Sequence, residues 1–346
     1  MTKCKSSVMR AVCTVSFVAI LSLFLNLSGS AQAAQAKPTT VQSTAPAQPV
    51  QPQADTAQPI TPAVAPLIPP KESSVLGELE IVTFNSKIFR NIRNLRVWLP
   101  GNYFAPVNRS KHYPVLYMQD GQNLFDEATA FNHEWRVDET VEFLTGSMRI
   151  GPMIVVGIDN AGGRRANEYL PYPDPDNAEL GKPASQDIHG KEYADFVIKE
   201  VMPFIQRKYR VALGPQNTGL GGSSYGGAVT LATVLTHPGV FGKALIESPS
   251  LLIGDRQLLK DAEKATQFPQ KMFLAIGTAE EADEKASAKD ADAVRDLEKI
   301  LRAKGLGPNR LKVVVEEGAH HDETAWSKRL PDALLFLYSG DIHLLQ

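Results

Sequence analysis

The residues best suited to chemistry lie in the run Gly222-Ser223-Ser224-Tyr225-Gly226. A short apolar stretch at 218–221 precedes it and a helical pattern at 227–235 follows. A serine at a strand-to-helix corner needs small neighbours, because the turn is tight and the chain passes close to adjoining elements. Such a corner lifts the hydroxyl clear of a sheet. The helix behind it aims amide groups and its positive end at developing negative charge. Ser224 is therefore the candidate nucleophile, and Ser223 stands at the wrong spacing to the glycines.

A serine needs a base. Of the seven histidines, His320-His321 follow the last apolar run at 311–315 and precede a helical pattern at 324–337. A nucleophile, acid, base order along the chain then places an orienting carboxylate between them. The segment 277–283 follows the apolar run 272–276 and offers Glu280, Glu281 and Asp283, which spacing alone does not separate. One of them would hold the imidazole tautomer and stabilise the imidazolium. The oxyanion needs two N–H donors. Tyr225 supplies one, and the loop 119–123 supplies Gln122, with Gly121 expected to permit an unusual backbone angle.

The elements that must position these groups follow from the apolar pattern. Stretches at 79–89 and 95–99 predict a leading strand pair. Runs at 113–118, 153–158, 218–221, 243–247, 272–276 and 311–315 are almost continuously apolar, as strands covered on both faces are. Helical patterns fall at 136–144, 191–209, 227–235, 290–303 and 324–337, with Pro203 expected to kink the second. Strands alternating with helices predict an α/β fold, a mostly parallel sheet with helices on both faces, and chemistry at the carboxyl ends of the strands. The long connection between Ile158 and Lys191 is expected to cover the site as a flap.

The first 74 residues differ from the rest. Lys3, Lys5 and Arg10 lead into an apolar run at 11–27 that ends in Ala31-Gln32-Ala33, the pattern of a signal peptide over 1–33. Residues 34–74 are rich in Pro, Gln, Ala and Thr and predict a solvated linker. The folded domain is expected over 75–346. The protein is expected to be secreted or periplasmic, with no stable membrane insertion after cleavage. Cys4 and Cys13 both lie in the leader, which leaves the remainder without disulfide, thiol nucleophile or thiolate metal site. A net charge of −2 gives no general attraction for nucleic acid. His133-Glu134 and His320-His321-Asp322 lack metal-ligand spacing, and no phosphate loop or dinucleotide fingerprint occurs, so no metal and no cofactor are expected.

From about Leu79 to Tyr338 the chain resembles an esterase family of α/β-hydrolases. That family includes esterase D-type enzymes, enterochelin-type siderophore esterases, feruloyl and acetyl esterases of carbohydrate esterase family 1, and mycolyltransferases. The likeness rests on Tyr117-Met118-Gln119-Asp120-Gly121-Gln122-Asn123-Leu124-Phe125, Trp135 and Val155-Val156-Gly157-Ile158-Asp159. It continues in Arg165-Ala166-Asn167-Glu168-Tyr169-Leu170-Pro171, the serine corner, Ser248-Pro249-Ser250, Gly277-Thr278-Ala279-Glu280, and His321 with Trp326 five residues on. It implies an α/β-hydrolase fold and an exported serine carboxylic-ester hydrolase forming an acyl-enzyme, with Ser224 as nucleophile, Glu280 as acid and His321 as base. The substrate would be a small-molecule or carbohydrate ester. Arg165 is expected to pair with Glu168 or to greet an anionic substrate. Trp135 and Tyr169, with Tyr172, are further substrate-binding candidates suited to a feruloyl or catecholate ring, with packing the favoured reading of Trp135. Two other readings use the same scaffold: an acyltransferase, with a sugar or lipid alcohol replacing water, and a non-catalytic binding module.

Overall fold

A computed structural model describes residues 71–173 and 187–339. The expected signal peptide over 1–33, nearly all of the expected linker and the middle of the expected flap lie outside the described residues. The linker's final residues, 71–74, are held on the domain: Lys71 Nζ pairs with Glu127 Oε1 at 3.0 Å, and the Ser74 N–H donates to Asp126 Oδ1 at 3.2 Å.

Eight strands form one sheet in the order β1-β2-β4-β3-β5-β6-β7-β8. They are β1 (Glu78–Ser86), β2 (Asn91–Leu99), β3 (Val115–Gln119), β4 (Ile154–Ile158), β5 (Thr218–Ser223), β6 (Lys243–Glu247), β7 (Lys271–Ala279) and β8 (Leu311–His320). β1 and β2 form the expected leading pair. Their hairpin is antiparallel, β2 meets β4 antiparallel, and every other pairing is parallel. Alternate residues of one strand enter two different cores. Val115, Tyr117, Ile154, Val156, Ala244 and Leu274 face one, and Leu116, Met118, Val155, Leu245 and Phe273 face the other. A two-residue side-chain period with both faces covered is why these strands read as unbroken apolar runs.

The helices are α1 (Val137–Gly146), α2 (Arg165–Tyr169), α3 (Gly190–Asp195), α4 (Met202–Lys208), α5 (Tyr225–Thr236), α6 (Ile253–Lys264), α7 (Glu284–Ala303) and α8 (Glu323–Tyr338). α3 and α4 are joined by a π-helical stretch, Phe196–Val201, just ahead of Pro203. The wider turn accommodates a residue that lacks an N–H and crowds the preceding carbonyl. α6 has no counterpart in the sequence pattern. It buries only Ile253, Leu258, Leu259 and Ala262, and Gly254, Asp255 and Arg256 adopt left-handed backbone angles near its start. α7 starts six residues before the apolar period does, because the Asp283 carboxylate caps it by accepting from the Ala286 N–H at 2.8 Å. No helix among the described residues is long and apolar enough to cross a membrane.

Candidate active site

β5 runs straight into α5 through Ser224, whose backbone takes φ 59° and ψ −125°. A positive φ is costly for a residue with a side chain, and here surrounding bonds hold it. The Ser224 N–H donates to the Glu247 carbonyl at 3.1 Å, and the Ser224 carbonyl accepts from Ala228. The flanking glycines are needed for space. A Cβ on Gly222 would lie 2.3 Å from Gln119 Oε1, and one on Gly227 would lie 2.9 Å from the Glu247 carbonyl. The Ser224 hydroxyl makes no hydrogen bond among the described residues, and Tyr225 opens α5.

β7 and β8 bring Glu280 and His321 together. His321 Nδ1 lies 2.5 Å from Glu280 Oε2. With the proton on Nδ1, as that carboxylate demands, Nε2 is left as the acceptor. Glu280 Oε1 accepts from the Gly277 N–H at 2.5 Å and the Ser248 hydroxyl at 2.8 Å. Burial would raise this carboxyl, but its bonds to His321, Gly277 and Ser248 outweigh burial and hold it below the ordinary value. The Trp326 indole N–H donates to Ser248 Oγ at 3.0 Å, and its ring stands edge-on to His321 with centroids 5.2 Å apart. The other two acids of the segment are occupied differently. Asp283 caps α7, and Glu281 is exposed. His320 also faces away from Glu280: its Nδ1 lies 3.0 Å from the Ala279 carbonyl.

The loop after β3 forms a short 3-10 turn, Gly121–Asn123. The unusual backbone angle belongs to Asp120, at φ 57°, and not to Gly121 as expected. Gly121 is required for close approach, since a Cβ there would lie 2.7 Å from the Gly157 carbonyl carbon and 2.8 Å from the Ile158 nitrogen. The turn is tied down on several sides. The Thr129 hydroxyl donates to the Gln122 carbonyl at 2.7 Å, and Gln122 Oε1 accepts from the Asn160 N–H at 3.3 Å.

Arg165 departs from expectation. Its guanidinium grips Asp120 with Nε at 2.7 Å and Nη2 at 2.9 Å and lies over the rings of Tyr169 and Tyr225. It does not pair with Glu168, which is taken by Arg93 at 2.7 Å with both side chains 2% exposed. A bidentate fork on a buried carboxylate braces the turn after β3. Trp135 and Tyr169 are likewise withdrawn. Trp135 is buried against Trp326, with ring centroids 5.5 Å apart, and the fully buried Tyr169 hydroxyl accepts from the Asp120 N–H at 3.3 Å. Both are core residues, and neither presents a face to a ligand.

Beside His321 opens a cleft of about 320 Å³ whose walls include Tyr225, Ser248, Leu252, Ile253, Glu281 and Asp290. Among the described residues its lining contains no lysine or arginine. Asp290 is partly buried on α7, where burial, reinforced by the Glu281 and Glu280 charges, pushes its carboxyl up to about 6. Nothing in the sequence singled out Asp290. Ser248 stood only within a matching tripeptide, and its role emerges once β6 is known to lie between β5 and β7.

The sequence pattern of the family described as "Putative esterase" matches residues 86–337. The chain belongs to that esterase family. It is a carboxylic ester hydrolase with an α/β-hydrolase-type sheet. Over 250 residues the esterase is 26% identical to the uncharacterized protein YbbA of Bacillus subtilis, covering 71% of this chain and 92% of that one. Among solved structures it is similar to a carbohydrate esterase family 1 ferulic acid esterase from Anaeromyces mucronatus. That match has a TM-score of 0.54 and 20% identity over 78% of this chain and 94% of the other. It is also similar to the enterobactin esterase of Shigella flexneri, with a TM-score of 0.57 and 18% identity over 78% of this chain and 60% of that one.

Proposed function

We propose that the esterase works through a Ser224–His321–Glu280 triad and an acyl-enzyme. In this reading His321 Nε2 takes the Ser224 proton as the hydroxyl attacks an ester carbonyl. The amides of Gln122 and Tyr225 receive the oxyanion, each such donor being worth about 3 kcal/mol of barrier. The imidazolium then gives its proton to the leaving alcohol, and a water activated by the same ring releases the acid. The observation that carries the reading is the 2.5 Å bond from His321 Nδ1 to a buried Glu280, at the strand ends beside a serine held at positive φ. The absence of a direct Ser224 bond is compatible with it, because catalytic hydrogen bonds often tighten only when substrate binds.

The substrate proposed is a neutral small-molecule or carbohydrate ester, with a hydroxycinnamoyl ester favoured over a polyanionic ferric siderophore. Support comes from a cleft that, among the described residues, presents Glu281 and Asp290 and no lysine or arginine. A multiply charged anion would meet like charge there. The leader pattern over 1–33 supports export to the periplasm or the medium.

A fluorophosphonate probe tests the triad. It should label Ser224 in the native protein. Ser224→Ala should abolish labelling and hydrolysis of methyl ferulate while the melting temperature holds. Full activity in that variant would move the nucleophile elsewhere, and failure to label folded wild-type protein would favour a binding module. A product ester formed when a sugar alcohol is added would favour acyl transfer.

A further inference from the structure

Three carboxyl groups converge at the start of α1, and none of them lines the cleft beside His321. They belong to Glu134, Asp138 and Glu139, and one oxygen from each lies within 4.8 Å of the others. Asp138 is fully buried, and Glu134 is 7% exposed. Asp138 Oδ1, Glu134 Oε2 and Glu139 Oε2 are shielded from solvent and have no hydrogen-bond donor among the described residues. The other oxygens are only partly satisfied. Asp138 Oδ2 accepts from the Leu76 N–H at 2.6 Å, and Glu139 Oε1 from the Arg136 Nε at 3.2 Å, on an arginine side chain that is 63% exposed. The helix N-terminus favours negative charge, but its half-charge does not balance three carboxylates. Buried charges without partners are strongly unfavourable and are found paired or bound to a metal.

We propose that Glu134, Asp138 and Glu139 form a calcium site that fastens the segment 71–76 to the domain. Oxygens that share one calcium ion at about 2.4 Å can lie no more than about 4.8 Å apart, which is the spread available here. All three donors are carboxylate oxygens, the choice of a hard cation. The adjacent imidazole, His133, is turned to Glu127 at 3.3 Å, which leaves no nitrogen donor for zinc. Calcium fits better than magnesium because the donors come from a buried, irregular corner, whereas magnesium demands regular octahedral geometry and keeps its waters. The ion would also organise the entry of the chain. Leu76 N–H bonds Asp138, and the Leu76 carbonyl accepts from Trp98 Nε1 at 2.8 Å. In this segment the sequence expectation of no metal weighed only the pair His133-Glu134. The converging carboxylates stand at i, i+4 and i+5 and meet because the chain turns into a helix between the first and the second.

The test uses the full chain, stripped with EGTA and reloaded. Terbium should luminesce on excitation of tryptophan, since Trp135 adjoins Glu134 and Trp98 touches Leu76. Calcium should displace it, and tenfold more magnesium should not. Calcium chloride at about 100 times its Kd should raise the melting temperature by about 5–10 °C. Glu139→Gln, at the most accessible of the three, should lose the terbium signal and the calcium-dependent rise and retain ester hydrolysis. Asp138→Asn should do the same if it folds, and the wild-type titration decides the matter if it does not. No terbium signal and no calcium effect in the wild type would overturn the proposal and leave the carboxyls sharing protons. A calcium effect that survives Glu139→Gln would also overturn it by placing the ion elsewhere.

Discussion

Replacing Glu280 with glutamine puts the proposed triad to its sharpest test, because the surroundings dictate how the new side chain must sit. Two donors, the Gly277 N–H and the Ser248 hydroxyl, already converge on Oε1. The amide oxygen of a glutamine has to occupy that position, since an amide nitrogen would meet two donors head-on. The NH₂ group is then turned to His321 Nδ1, where the carboxylate oxygen stood. Facing a donor, Nδ1 becomes the acceptor and the ring proton moves to Nε2, so Nε2 cannot take the Ser224 proton. The charge that would stabilise the imidazolium is lost as well. Comparable changes in serine hydrolases lower kcat about 10⁴-fold, or about 5.5 kcal/mol of barrier. The expected result for Glu280→Gln is a kcat for p-nitrophenyl acetate reduced by about 10³–10⁴, with KM and melting temperature little changed. Glu281→Gln and Asp283→Asn should stay within about threefold in kcat. A Glu280→Gln enzyme within tenfold of wild type would refute the assignment of the acid.

Other outcomes follow from the same contacts. Arg93→Leu or Glu168→Leu alone should cost about 3–5 kcal/mol in urea unfolding, because each leaves a buried charge unpaired, and the double variant should recover most of that loss. Gly121→Ala should push the oxyanion turn off β4 and lower kcat about 10²-fold with little change in KM, measured by steady-state hydrolysis. Asp290 has a folded-state pKa raised to about 6 from an ordinary 3.8. The folded protein therefore binds the extra proton between those values, and this group's contribution to stability falls as pH rises from about 4 to about 6. The difference in melting temperature between Asp290→Asn and wild type should grow over that interval and level off above it, as differential scanning fluorimetry would show.

Much of the architecture was legible because burial on both faces writes itself into composition. The parallel strands carry unbroken apolar residues, and the serine corner carries glycines that no other residue could replace without collision. Spacing alone left the proposed acid as a choice among three, with the family likeness pointing to Glu280, since Glu280 is set apart from Glu281 and Asp283 by its contacts. Arg165 and Trp135 carry two readings in sequence, structural and ligand-facing, and Tyr169 reads as ligand-facing, because polar and aromatic residues near a site look alike whether they meet a substrate or each other. Their partners, Asp120 and Trp326, lie 45 and 191 residues away along the chain, and no local pattern reports such distances. α6 escaped notice because a helix that buries only four residues carries a faint period.

The proposed reacting groups rest on the ends of β5, β7 and β8, three strands of the parallel part of the sheet. Leu252, Ile253, Glu281 and Asp290, which shape the cleft, belong to α6, α7 and the residues leading into them, outside the sheet. Change in the wall can proceed one residue at a time without disturbing the pairing that holds the machinery. An enzyme divided in this way can acquire new acyl groups through drift at its periphery, where a change need not unpair a strand.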